Sequence, residues 1–147
     1  MSKFFQALLT GIFFTLILDF FLFLGLKFNY IDFFDIDIYY NILFVDHQNV
    51  YLFFAFSFLI GYIIIYIAHT KLSVIIVGGM FLLAFSTLIP SLGYRLGEIF
   101  FMEKNVILKT KKYTYEGVIY YRGRSQTTFF DYELKKIILF DNKELIQ

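Results

Sequence analysis

The sequence predicts a mixed fold: three transmembrane helices followed by a short antiparallel β-sheet or small barrel module. Three observations carry this reading. Apolar stretches at Phe4 to Leu26, Val50 to Ala68 and Leu72 to Tyr94 run for 23, 19 and 23 residues and hold one formal charge between them, Asp19. At a helical rise of about 1.5 Å per residue they reach roughly 28 to 35 Å, the thickness of a bilayer's hydrocarbon core. The chain is 59% apolar, 23% aromatic and only 17% charged, which is more apolar surface than a soluble domain of 147 residues can bury. Beyond Met102 the apolar period shortens from that of a helix to two, in segments rich in β-branched and aromatic residues. The predicted division is a membrane domain over 1–101 and an extramembrane β module over 102–147.

The first helix, about 4–26, starts beside Lys3 as a secretory signal does. Its apolar run is too long for one, and no small-x-small cleavage pattern follows Asp19, so it is expected to stay attached. Gly25, Lys27 and Asn29 mark its end. The connection over 27–49 places Asp32, Asp35, Asp37, Asp46 and His47 among aromatic and aliphatic residues. Ile31, Phe34, Ile38, Ile42 and Val45 recur at three- and four-residue spacing, the pattern of an amphipathic helix along the membrane interface. Alternation in Asp35-Ile36-Asp37-Ile38 fits a strand equally well.

The second and third helices, about 50–68 and 72–94, are joined only by His69, Thr70 and Lys71, which makes them antiparallel neighbours. Ser57-x-x-x-Gly61 and Gly93-x-x-x-Gly97 place small residues one turn apart, so that helix backbones can approach closely. Packing within the chain is the plain reading of these pairs; a subunit interface or a hinge is the alternative. Gly78-Gly79 and Pro90 are the points where the third helix can bend, and it has room to run on to Phe101.

In the tail, strands are predicted at Val106 to Leu108, Tyr113 to Arg122, Thr127 to Tyr132 and Lys136 to Phe140. Turn chemistry at Arg122-Gly123-Arg124-Ser125 and Asp141-Asn142 separates them. In the longest, Tyr113, Tyr115, Ile119 and Tyr121 share one face and Thr114, Glu116, Tyr120 and Arg122 the other, the alternation of a half-buried antiparallel strand. Gly117 is the expected bulge or bend. A core this small leans on the membrane helices or on copies of itself.

Asp19 is the residue whose place requires a physical reason. Its side chain is too short to reach the end of a helix spanning 4–26, so it is protonated, hydrated or paired. The first and third helices run in the same direction, and Arg95 is the expected partner in a desolvated ion pair; a proton or ion pathway is the functional alternative. Zero cysteines excludes disulfides and thiolate chemistry, and the net charge of +1 carries no global field. His47 and His69 lack a carboxylate or second imidazole at helical spacing, so no metal site, cofactor or catalytic centre is expected. The basic aromatic surface of the tail, around Lys111, Lys112, Arg122 and Arg124, reads as a contact for anionic lipid or a protein partner; nucleic acid is not expected. Lys3 and Lys71 fall on one side of the membrane, and Lys27, Arg95, Lys104, Lys109, Lys111 and Lys112 on the other. The positive-inside rule therefore puts the tail in the cytoplasm and the N-terminus outside.

In the tail, Tyr115-Glu116-Gly117-Val118-Ile119, Thr127-Thr128 and Lys136-Ile137-Ile138, coming directly after three predicted membrane helices, form a layout that resembles small-conductance mechanosensitive channels. The third helix departs from that family in lacking a dense Gly/Ala alternation, and Asp141-Asn142 is the only counterpart of the proline and asparagine after its last strand. The expectation from the residues is a small polytopic inner-membrane protein without enzymatic activity, whose helices anchor a β module for assembly or interaction. Its partners are then the bilayer and a second copy or another membrane protein. The resemblance implies the alternative, a channel- or transporter-like oligomeric subunit.

Overall fold

The computed structural model describes residues 2–67 and 69–146. Helix α1 (Lys3–Leu26) runs on without a break through a π-helical turn at Lys27–Ile31. The combined helix, Lys3–Ile31, is the one described helix long and apolar enough to cross a membrane by itself. Four further helices follow: α2 (Tyr40–His47), α3 (Val50–Tyr66), α4 (Thr70–Ser86) and α5 (Pro90–Phe101). The pairs α2 with α3 and α4 with α5 meet the same test only jointly, and they bend by 88° and 89° at their junctions.

The second elbow corrects the expectation of an unbroken third helix over 72–94; α1 and α3 fall where helices were expected over 4–26 and 50–68. Ala68, the expected end of the second, lies outside the described residues. The third is two helices, because Pro90 supplies no amide hydrogen and holds Ile89 in an extended conformation (φ −74°, ψ 123°). Pro90 thus opens α5 as its first residue, where a missing N–H costs nothing. Gly78 and Gly79 do not break α4, which is continuous through them. At the other elbow the Asn49 side chain accepts from the amides of Tyr51 (3.0 Å) and Leu52 (3.2 Å) and so caps α3. The interfacial helix expected from Ile31 to Val45 is confined to α2; before it come a turn and an extended stretch, entered through Asp35 at φ 55°.

Helices α1 and α3 cross antiparallel with their backbones in contact. A Cβ on Gly11 would lie 1.8 Å from the Ser57 carbonyl oxygen, and one on Gly61 would lie 2.0 Å from that of Ala7. Small residues on both helices permit this approach, and dispersion between the backbones holds it. Helix α4 closes the bundle through Leu18, Ile60, Val77 and Ala84, and the Ser73 hydroxyl donates to the Ile63 carbonyl at 2.9 Å.

Strands β1 (Glu103–Thr110), β2 (Thr114–Arg122), β3 (Gln126–Asp131), β4 (Lys136–Asp141) and β5 (Leu145–Ile146) form one antiparallel sheet in the order β4-β3-β2-β1-β5. Its two edges do not pair, so the module is an open sheet and not a barrel. Leu108, Ile119, Phe129 and Phe140 make the core of one face. Gly117 keeps its ladder position opposite Asp131, and it is glycine because a Cβ there would meet the Phe130 carbonyl oxygen at 1.9 Å. The irregularity in β2 falls instead between Ile119 and Tyr121. That bulge corrects the expected faces: Tyr115 and Ile119 stay on the sheet's own core, whereas Tyr121 joins the core of the helical part.

Candidate functional site

The bulge in β2 is where the sheet meets the helices. It frees the Tyr120 carbonyl, which accepts from the buried Tyr30 hydroxyl at 2.8 Å, and the Tyr120 ring stacks on Phe34 with centroids 4.1 Å apart. Tyr121, next in sequence, donates its hydroxyl to the Asp46 carboxylate at 2.9 Å. The same carboxylate accepts the Arg124 amide at 3.3 Å and faces the Arg124 guanidinium at 3.8 Å. Asp46 therefore acts as a clasp between α2 and the turn after β2. Burial, with the carboxylate beside it, pushes the Tyr121 phenol well above its usual range, so it stays a donor. Tyr30, Leu43, Phe101 and Tyr121 share one buried cluster that spans helices and sheet.

Behind the clasp lies a cleft of about 320 Å³. Asp19 comes to it from α1, His47 from the end of α2, and Gln48 and Asn49 from the elbow; Phe53 and Phe100 stand among its apolar walls. The Gln48 amide donates to Asp19 at 2.9 Å. The imidazole of His47 packs edge-on against Phe101 and Tyr121, and its Nε2 is buried with no hydrogen-bond partner. Burial holds the His47 pKa below its ordinary value, with Asp46 opposing that shift and Arg124 adding to it. The cleft thus offers a carboxylate and a neutral imidazole inside an aromatic wall.

No known protein family, curated protein or solved structure matches this chain.

Asp19 and Arg95, expected to pair, are not brought together. The 89° turn before α5 carries Arg95 across the end of the bundle, where it is exposed and makes no ion pair among the described residues. Gln48 takes its place, because the elbow lies level with Asp19 once α1 and α3 run antiparallel.

Ser57 and Gly61 sit in the α1–α3 crossing, and Gly93 and Gly97 receive the π turn: a Cβ on Gly97 would lie 2.2 Å from the Tyr30 ring. All four serve contacts within the chain. The basic residues are split. Arg122 pairs with Glu103 at 3.3 Å and Arg124 joins the clasp, whereas Lys111 and Lys112 occupy the β1–β2 turn at the opposite end of β2. At about 3.3 Å per residue, β2 separates the two groups by roughly 25 Å, so they do not form one surface.

Gln48, Asp46 and Tyr121 have no motif that announces them. The signal available for Asp46 is its position one residue before His47 at the end of a short apolar helix.

Proposed function

We propose that the chain is a non-catalytic, three-span inner-membrane protein that holds its β module rigidly at the membrane surface for assembly or interaction. One observation carries this reading: the outer faces of α1, α3 and α4 are apolar along their middle turns. Leu82 and Leu83 are 72% and 73% exposed and Ile75 70%, with Phe13, Leu59 and Val74 similarly bare. Water does not tolerate a belt of that extent, and lipid covers it without loss.

With α3 and α4 at 17 residues each, their length of about 25 Å spans a slightly thin bilayer. Both elbows then fall at one membrane face, so α2 and α5 lie along the interface. Helix α5 fits that place, since Leu92, Ile99 and Phe100 form an exposed apolar stripe beside a polar one containing Ser91 and Arg95. Asp19, level with the elbow, sits near headgroup depth, where a carboxylate costs far less than at the bilayer centre. Lysine and arginine placement puts the β module on the cytoplasmic side.

A second reading, a channel-like oligomeric subunit, is favoured by Gly78 and Gly79. They are the adjacent glycines for which a Cβ would find nothing within 4 Å, and an open small-residue patch on a lipid-facing helix fits close approach by a second copy. Particle mass in mild detergent separates the two. A single copy, or one copy with an unrelated protein, supports the anchoring role; a ring of several copies supports the channel.

A further inference from the structure

We infer that the cleft behind the Asp46 clasp binds the primary ammonium headgroup of a phospholipid, with Asp19 as its counter-ion. This rests on the membrane reading above. The cleft is about 320 Å³, at the lower end of the size of small-ligand sites. Its mouth opens on the apolar outer surface: of its lining residues, Leu52 is 57% exposed, Phe56 47% and Phe100 59%. An occupant that enters from that side brings an apolar body with a polar end.

Charge and hydrogen bonding then choose the polar end. Asp19 is the one formal charge among the lining residues, so the complement is a cation. Gln48 donates to the Oδ2 oxygen, and among the described residues Oδ1 has no donor. His47 lines the same cleft with its ring, whose Nε2 is buried away from it against Phe101 and Tyr121.

A charged acceptor in want of a donor selects a headgroup that carries N–H bonds. A quaternary ammonium would keep the attraction of the Asp19 charge and of the aromatic side chains Phe53, Phe56 and Phe100, but it has no N–H bond to give and would leave Oδ1 unmet. An anionic headgroup would face the Asp19 carboxylate. Primary ammonium on a diacyl lipid satisfies all three conditions: charge, donors and an apolar body.

The test uses the full chain in mild detergent supplemented with equal amounts of dioleoylphosphatidylethanolamine and dioleoylphosphatidylcholine, with retained lipid read by native mass spectrometry. The expected result is retention of the ethanolamine lipid at about tenfold over the choline lipid, a ratio equal to about 1.4 kcal/mol. Asp19→Asn keeps the shape and the acceptor for Gln48 but removes the charge, and it should bring the ratio close to one. Equal retention by the unmodified protein, preference for the choline lipid, or an unchanged ratio in Asp19→Asn overturns the assignment. Capture of millimolar ethanolamine by a protein that retains neither lipid overturns lipid as the occupant in favour of a small amine. Membrane flotation is run in parallel: a chain that stays behind when membranes float overturns the membrane reading, whereas a chain that floats but shows no lipid preference overturns only the headgroup site.

Discussion

Replacing Asp46 by alanine should loosen the docking of the β module on the helices. The carboxylate is only 10% exposed and meets the Tyr121 hydroxyl at 2.9 Å, the Arg124 amide at 3.3 Å and the Arg124 guanidinium at 3.8 Å. The short bond from Tyr121 to the charged acceptor contributes about 1.5 to 3 kcal/mol, and the Arg124 amide, at the outer limit of hydrogen-bond distance, adds little. The Arg124 guanidinium, whose side chain is 64% exposed, adds less than about 1 kcal/mol because water screens it. Loss of the clasp thus costs about 2 to 4 kcal/mol, or roughly 30- to 1000-fold in the ratio of open to docked protein. Asp46→Asn keeps an acceptor for Tyr121 and should lose about tenfold or less. Hydrogen exchange in mild detergent reads this at the segment from Tyr120 to Gln126, whose amides are protected by docking and strand pairing together. Protection in Asp46→Ala within about threefold of the unmodified protein would refute the reasoning, since the sheet would then be held by apolar contacts alone.

Gly61→Leu should lower the thermal midpoint in detergent sharply, by the equivalent of about 3 kcal/mol or more, because the new Cβ meets backbone and not a yielding side chain. Gly79→Leu, with open space around it, should be neutral or gain up to about 1 kcal/mol in helix propensity; a matching loss in both would show that the α1–α3 contact is not the cause. Stability should also depend on His47. Its folded pKa is depressed below the ordinary 6.5, so below that pH the unfolded chain binds the extra proton and stability falls as pH drops, by at most about 1.4 kcal/mol per unit. The melting midpoint should therefore fall more between pH 7.5 and 5.5 in the unmodified protein than in His47→Gln, and equal falls would remove His47 from the account.

Much of the fold was legible because it depends on period and punctuation. The four main strands fall within a few residues of the segments read from alternation, and α3 and α4 lie where continuous apolar runs were seen. Pro90 was visible as a bend. What could not be read was its angle, since composition on both sides of a break looks alike, and that angle decides where Arg95 goes. Register was hidden for a related reason: alternation assigned Tyr121 to the face of Ile119, and a single bulge reversed it. Gln48 is a neutral residue in a two-residue link, and only the antiparallel crossing of α1 and α3 makes it the neighbour of Asp19. Small-residue spacing did mark the close contacts at Gly61 and Gly97, but Gly11, which meets Ser57 just as closely, has no glycine or serine at that spacing, and Gly25, which meets Thr87, reads in the sequence only as a helix end.

The central claim, that three segments cross the membrane with both elbows and the sheet on one face, is tested most directly at Lys71. Single cysteines at Ser2, Lys71 and Ser125 in the otherwise cysteine-free chain are exposed to an impermeant maleimide in intact cells and again after lysis. Three spans with a cytoplasmic sheet give labelling of Ser2→Cys and Lys71→Cys from outside and of Ser125→Cys only after lysis. If α1 alone crosses, Lys71→Cys will behave as Ser125→Cys does, and that single result would contradict the account.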